Sequence, residues 1–517
     1  MSALSMGPSS TTWRDTGSRI LVQYVSKTPT PACLAQDMAI FSKLGQRTSA
    51  IRTYPQPLTN YIPSCPAMVS SALFVLQTVM LMSMQSRNVS TQPKATGAPQ
   101  GALVKHRVGG WLPRNDEVLK TWLNKKIAIV EHPSRVDEPL KPVIQDFQTF
   151  VETNPVIYMY CNQMFEQVPT KPPYDNDPTG KPQVRDYKLM FKLFNDIIGT
   201  APSYEDDDLV GFPINAILDW PMGTPAGMAF FSSPEVNVHF KNMFDVWTSF
   251  LTSSASCTVL DDSANGWFGP AASAALPNFE QTYVCDPTAP FHGFKSWDDF
   301  FTRLFIPGVR PVLFPDEDII TSACESTVYR IAFDAQETDS FWLKGQPYSL
   351  VHMLNNDEFA AQFVGGTVYQ AFLSATKYHR WHAPVNGTIV RVVTVPGTYY
   401  AESPEEGFPD PDAAGPNLSQ AFITAVATRT IIFIQADNPT IGLLAFIGVG
   451  MAEVSTCEAT VKAGDVVKKG DQLGMFHFGG STHCLIFGPQ VKVTFDPEIV
   501  IEADVNLNAP IATVAAA

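Results

Sequence analysis

The stretch Thr460-Val-Lys-Ala-Gly-Asp-Val-Val-Lys-Lys-Gly-Asp-Gln-Leu-Gly-Met-Phe476, running on through His477-Phe-Gly-Gly-Ser-Thr-His483, decides the fold class. Gly464 and Gly470 are each followed by Asp and flanked by short alternating runs, the pattern of tight turns between brief strands. Upstream, Ile389-Val-Arg-Val-Val-Thr-Val395 and Ile431-Ile-Phe-Ile434 are β-branched and bounded by Pro, Gly and Asn, so they also read as strands. This β texture begins after Pro287. A Pro- and acid-rich segment from Ser403 to Pro416 interrupts it and reads as an insertion, either a lid or an unstructured loop.

Towards the amino terminus the period changes from two to 3.6. Tyr187, Met190, Phe191, Phe194 and Ile198 share one helical face, with Gly199 as a stop. Phe240, Met243, Phe244, Trp247 and Leu251 repeat the spacing, and Ile144, Phe147, Phe150 and Val151 form a third stripe. Aromatic stripes of this kind are core. The Pro- and Asp-rich run Thr170 to Lys181 reads as a loop between helices. The expectation is therefore an α+β protein in three parts: a variable extension over 1–109, a helical domain over 110–286 without visible catalytic chemistry, and a β-rich domain over 287–517.

The composition supports a globular chain. Of 517 residues, 45% are hydrophobic and 16% charged, and the formal net charge is -15. That charge argues against nucleic acid as a partner, since phosphate binding needs clustered Lys and Arg. It gives no electrostatic help at anionic lipid surfaces either. The eight cysteines show no Cys-x-x-Cys pair and read as free thiols in a reducing compartment. The cytoplasm is the expected location. A mitochondrial or membrane-associated protein is the alternative, because Ala67 to Met84 is uncharged and near the ~20 apolar residues of a membrane span. A poorly ordered extension or wrongly joined coding sequence would look the same.

Chemistry-bearing side chains concentrate in three places. Tyr378-His-Arg-Trp-His-Ala-Pro-Val-Asn-Gly387 carries a His-x-x-His pair, and Phe476-His-Phe-Gly-Gly-Ser-Thr482 sets a hydroxyl after two glycines. Asp299-Phe-Phe-Thr-Arg303 is followed by Arg310-Pro-Val. Singly these patterns say little: Gly-Gly-Ser-Thr is common in turns, and isolated histidines usually have structural hydrogen bonds. His379 and His382 have no third ligand at useful spacing, so no metal is expected. In this order, however, over about Ser296 to Gly488, they resemble the phosphatidylserine decarboxylases. The match is to that family's Tyr-His-Arg-x-His-x-Pro-x-x-Gly signature, its Gly-Ser-Thr self-cleavage motif and its Phe-Phe-x-Arg…Arg-Pro block. The helical segment and the run from Tyr378 to Ile389 are most similar to a fungal branch that includes pyridoxal-independent L-tryptophan decarboxylases. The glycine-turn stretch also resembles lipoyl- and biotinyl-type sandwich domains, but it leads to Phe478-Gly-Gly-Ser rather than to a modified lysine at a hairpin tip.

The resemblance implies a proenzyme cut between Gly480 and Ser481. A decarboxylase needs an electron sink conjugated with the substrate nitrogen, which no ordinary side chain supplies. The family makes one, a covalent pyruvoyl group, from its own serine. The hydroxyl of Ser481 would attack the Gly480 carbonyl, and elimination and hydrolysis would leave the pyruvoyl where Ser481 stood. The two glycines permit the strained backbone and close approach this requires. Carried over by motif position, His382 is the base that activates Ser481 and His379 the proton donor after CO2 leaves. The family's orienting Asp lies in a Ser-Pro-Ala-Asp-Gly run; here the chain reads Ser322-Ala-Cys-Glu-Ser326, and Glu325 is the candidate. His477 and His483 flank the cut and are read as structural. The two self-cleaved chains are expected to stay associated, and family members are often dimers. An amino acid with an aromatic side chain, tryptophan first, is the expected substrate; phosphatidylserine is the alternative, and an inactive sandwich-fold scaffold the non-enzymatic one.

Overall fold

Long apolar runs must be covered on both faces, and the strands here carry several. In the computed structural model, which describes residues 116–517 apart from 136, 168–183, 205–211, 339–347, 375 and 403–418, these runs form the middle of a mixed-length antiparallel sheet. The extension, the Ala67 to Met84 stretch, the Thr170 to Lys181 run and the Ser403 to Pro416 insertion all fall in segments outside the described residues, in whole or nearly so. Among the described residues no helix is long and apolar enough to cross a membrane.

Among the described residues, seven helices lie between 116 and 251: α1 Asp116–Val130, α2 Pro142–Thr153, α3 Pro155–Gln167, α4 Tyr187–Ile197, α5 Pro213–Met222, α6 Pro225–Phe231 and α7 Pro234–Leu251; shorter helices follow before the first strand. Proline opens five of them, where a missing N–H costs nothing. Side-chain caps close other first turns, with Asp186 accepting from Leu189 N–H and Ser233 from Val236 N–H. The three expected stripes face inward: Phe147, Phe191, Phe194, Phe240 and Trp247 are fully buried.

The strands are β1 Ile319–Thr321, β2 Ser326–Ala332, β3 Thr367–Leu373, β4 Arg380–His382 and β5 Gly387–Val395, then β6 Arg429–Ala436 and β7 Leu443–Met451. They continue with β8 Cys457–Ala459, β9 Val466–Val467, β10 Gln472–Phe476, β11 Gly480–Phe487, β12 Val491–Phe495, β13 Asp504–Val505 and β14 Pro510–Ala516. Eight of them form one sheet in the order β13-β2-β3-β11-β7-β6-β5-β9, and two three-stranded sheets run β4-β10-β8 and β1-β14-β12. The fold is α+β.

The large sheet is covered by the helical core on one face and by the small sheets on the other. Cys484 and Ile486 of β11 join the helical core, whereas Leu485 and Phe487 join the core under the small sheets. The helices and the sheet thus share one continuous core. Gly464 and Gly470 do make tight turns, at φ +93° and +84°. The strands they separate join different sheets, β9 at the edge of the large one and β10 at the centre of a small one.

Trp381 fixes that second layer. It is fully buried, its ring lies 5.3 Å from Phe446 and 4.9 Å from Phe476, and it fills the space above Gly448 and Gly474. A methyl group on Gly474 would run into Trp381 and the Glu458 carbonyl. Since β10 is pinned by strands on both sides, Gly474→Ala is expected to destabilise the fold by about 1–3 kcal/mol. A chemical-denaturation midpoint equal to that of the parent would contradict this packing.

Candidate active site

Ser481 is the second residue of β11, in register with Leu373 of β3 and Gly450 of β7. It shares a face with His483, whose ring lies near Tyr369 and Phe446. Ser481 is fully buried, and among the described residues its Oγ has no hydrogen-bond partner. An unpaired buried hydroxyl costs free energy, so its persistence calls for an explanation in chemistry. The backbone just before it is also strained. Gly479 stands at φ +154°, and a Cβ there would collide with Ser455 Oγ and the Ala452 carbonyl. The opposing loop has three non-glycine residues in the left-handed region, Ala452, Glu453 and Ser455, at φ 57°, 48° and 43°. Ser455 N–H donates to the Phe478 carbonyl at 2.8 Å and ties this loop to the cut site.

The other two motifs converge on the same region. The short helix Trp297–Phe301, capped by Ser296 accepting from Asp299 N–H, leads into Arg303. Arg303 is buried and donates to the Thr376 and Lys377 carbonyls at 2.7 and 3.3 Å, fixing the chain that enters Tyr378. Arg380 donates back to the Thr302 carbonyl at 2.7 Å. Phe301 stacks on His379 at 4.0 Å and Phe305 on Tyr378 at 4.1 Å. His379 is fully buried, its ring nitrogens have no partner among the described residues, and burial, then the Arg303 charge, pushes its pKa well below the usual histidine value. Burial thus favours its neutral form.

His382 is lowered too, chiefly by burial. Its Nδ1 lies 2.7 Å from the Gly470 carbonyl, which can only accept, so Nδ1 carries the proton. Nε2 is then the free base, accepting from Tyr378 Oη–H at 3.1 Å. Glu325 does not make the expected contact with His382. Its carboxylate is held by the Arg310 guanidinium at 2.5 Å and by Leu507 N–H at 2.7 Å. It reaches His382 only through a chain of contacts: Arg310 lies over Phe305 at 4.9 Å, Phe305 stacks on Tyr378, and Tyr378 touches His382. The orienting acceptor beside His382 is a backbone carbonyl.

Of the flanking histidines, His477 bridges Asp298 and Glu458, both at 2.9 Å. Burial opposes its charge, but Asp298 and then Glu458 prevail and raise its pKa. His483 is fully buried, neither nitrogen has a partner among the described residues, and burial lowers it to about 3. The sequence reading missed Glu453. This carboxylate is fully buried and accepts from Ile214 and Asn215 N–H at the start of α5, both at 3.0 Å, and its second oxygen has no partner among the described residues. Its backbone N–H donates to Tyr400 Oη at 2.9 Å. The available signal was a single charge in the otherwise uncharged run from Ile441 to Thr456.

A buried serine after Gly479-Gly480, the buried His379 and His483 and a framework of Phe-Phe-x-Arg contacts lie together in this region. Two family models, both described as phosphatidylserine decarboxylase, match residues 141–276 and 297–512. The chain is 40% identical over 397 residues to an L-tryptophan decarboxylase of Psilocybe cubensis, covering 73% of this chain and 87% of that one. It is 47% identical over 320 residues to decarboxylase iboD of Amanita muscaria, covering 59% and 91%. Over 213 residues it is 32% identical to a phosphatidylserine decarboxylase proenzyme of Schizosaccharomyces pombe, covering 41% and 20%. The chain belongs to the phosphatidylserine decarboxylase family and is a carboxy-lyase.

Glu453 gives this site a pH signature. Burial pushes its pKa from 4.5 up to about 8, against the pull of the two N–H donors. The folded state therefore holds this proton more tightly than the unfolded chain does. The associated stability is complete below about pH 4.5 and is lost as pH rises through about 8. Glu453→Gln keeps an acceptor for both N–H groups and cannot ionise. Stability measured by denaturant titration from pH 6 to 9 should fall less steeply in this variant, by roughly 1–3 kcal/mol across that range. Parallel curves would rule out a buried protonated carboxyl.

Proposed function

We propose that the chain is a proenzyme that cuts itself between Gly480 and Ser481 and then decarboxylates an aromatic L-amino acid, L-tryptophan first, with a pyruvoyl group derived from Ser481. The observation that carries this reading is the buried Ser481 Oγ, without a partner among the described residues, two positions after Gly479, whose φ and close contacts suit only glycine. The residues fit the group: Ser481 is its precursor, β3 and β7 hold the strand on either side, and the close approach of Ser455 leaves room only for glycine at 479. When formed, the group supplies the electron sink that side chains lack.

The chain's own residues do the rest. His382, its Nδ1–H fixed on Gly470, offers Nε2 to take the Ser481 hydroxyl proton. No hydrogen bond joins the two in this structure, so the transfer needs the Tyr378 hydroxyl to release Nε2. His379, kept neutral, holds one N–H to deliver at the carbon that loses CO2. Glu325 acts at a distance by fixing Arg310 beneath Phe305 and Tyr378. The two sheets packed about Trp381 are the part we read as a lipoyl-like sandwich, used here as a frame and not as a carrier. The short chain would remain in place, because residues 481–517 supply β12–β14 and nearly all of β11 to the large sheet and one small sheet.

The aromatic preference rests on the likeness to L-tryptophan decarboxylases, which covers the helical segment as well as the sheets. A cytoplasmic location goes with a soluble substrate. Purified protein should run as two fragments, the smaller beginning at position 481 without a free amine, and Ser481→Ala should stay full length. Amine formation should then follow from L-tryptophan, without added pyridoxal phosphate, and not from phosphatidylserine vesicles. An uncut yet active wild type would sink the mechanism; phosphatidylethanolamine as the product would replace the substrate and make this a lipid enzyme.

A further inference from the structure

Phe478, three residues before Ser481, is enclosed by four aromatic rings. It stacks on Phe212 at 5.8 Å and meets Trp247, Trp297 and Phe301 at 5.4, 5.3 and 5.6 Å. Phe212 and Trp247 come from the helical segment, Trp297 and Phe301 from the short helix of the Phe-Phe-x-Arg motif. Phe478 is only 2% exposed, and no wall of the enclosure carries a charge. Phe301 also stacks on His379, so the enclosure shares a wall with the proton donor named above.

We propose that this enclosure is the seat for the aromatic side chain of the substrate, and that Phe478 is a built-in occupant displaced after the chain is cut. The proposal rests on the preceding reading that position 481 becomes the reactive carbonyl. The reacting carbon is the former Cα of Ser481, so a substrate amine must come to where the Ser481 amide nitrogen stood in the uncut chain. The remainder of the substrate then extends along the line occupied by Gly480 and Gly479, towards Phe478. Two residues span at most about 7 Å, comparable with the reach from amine to ring in an arylalkyl amino acid. Cleavage leaves Phe478 covalently tethered only through His477, with one backbone bond from Ser455 N–H to its carbonyl, and followed by two glycines with no Cβ to hold them. Phe478 becomes an intramolecular competitor at high effective concentration for the same four rings. An indole or phenyl group replaces it by like-for-like aromatic packing. A glycerophosphoserine headgroup would bring an anion to walls that carry no cation.

The test uses cut wild-type protein, a broad-specificity carboxypeptidase, and two amine probes that differ in their rings. Tryptamine should speed the release of phenylalanine from the large chain's new carboxyl end several-fold, by expelling the tail, whereas ethanolamine should not. An unchanged rate with tryptamine, or an equal response to both amines, overturns the proposal. Calorimetric binding gives a second readout: Phe478→Ala should bind tryptamine about tenfold more tightly than wild type, because the competitor is gone. Trp297→Leu should bind it more weakly, and equal or weaker binding by Phe478→Ala again overturns the idea. Should Phe478→Ala not cut itself, the wild-type carboxypeptidase result decides alone. A wild type that never yields a large chain ending at Gly480 defeats the functional reading itself. A cut protein whose tail ignores tryptamine leaves self-cleavage intact and defeats only this proposal.

Discussion

Burial of β11 on both faces is the constraint from which the rest follows. With β3 and β7 bonded along its edges, the helical core on one face and the small sheets on the other, every residue from Gly480 to Phe487 is shut away from water. For Leu485 or Ile486 this is stabilising; for Ser481 and His483 it removes solvent without supplying partners. A hydroxyl in that position keeps its lone pairs available, and a histidine there stays neutral. The unpartnered polar groups of the region are thus a by-product of where the strand lies, and the strand lies there because its neighbours are apolar on both sides.

Aromatic stacking then sets the geometry. The Phe-Phe-x-Arg block and the Tyr-His-Arg-Trp-His block are about 75 residues apart by sequence number, yet they interlock through Phe301 on His379, Phe305 on Tyr378 and reciprocal arginine-to-carbonyl bonds from Arg303 and Arg380. Planar contacts restrict ring rotation, and arginine donors in a fixed fork restrict the backbone they bind. Histidines held in this way need no carboxylate beside them to be oriented. Glu325 sits instead with Arg310, which lies over Phe305 at the far side of the stack.

Much of this was legible in the sequence. The aromatic stripes of α2, α4 and α7, the β-branched runs of β5 and β6 and the glycine turns at 464 and 470 were all readable from spacing. Partnership was not. Whether Glu325 meets His382 or Arg310 depends on how β2, the Arg310 loop and the segment at Leu507 come together, and these lie far apart along the chain. Glu453 escaped notice because its role is set by α5, more than two hundred residues earlier. Likewise the helical segment showed no chemistry of its own, since Phe212 and Trp247 acquire meaning only when they close around Phe478.

The weaving of residues 481–517 through two sheets also bears on the life history of the protein. Before the cut, folding is an event within one chain, and strands such as β11 find β3 and β7 without any dependence on concentration. After the proposed cut, the same topology could be rebuilt only by collision of two separate polypeptides, one of them short and rich in exposed strand edges. The mature form is then a state reached once and held by the height of its unfolding barrier, so that its working lifetime is a matter of rate and not of equilibrium.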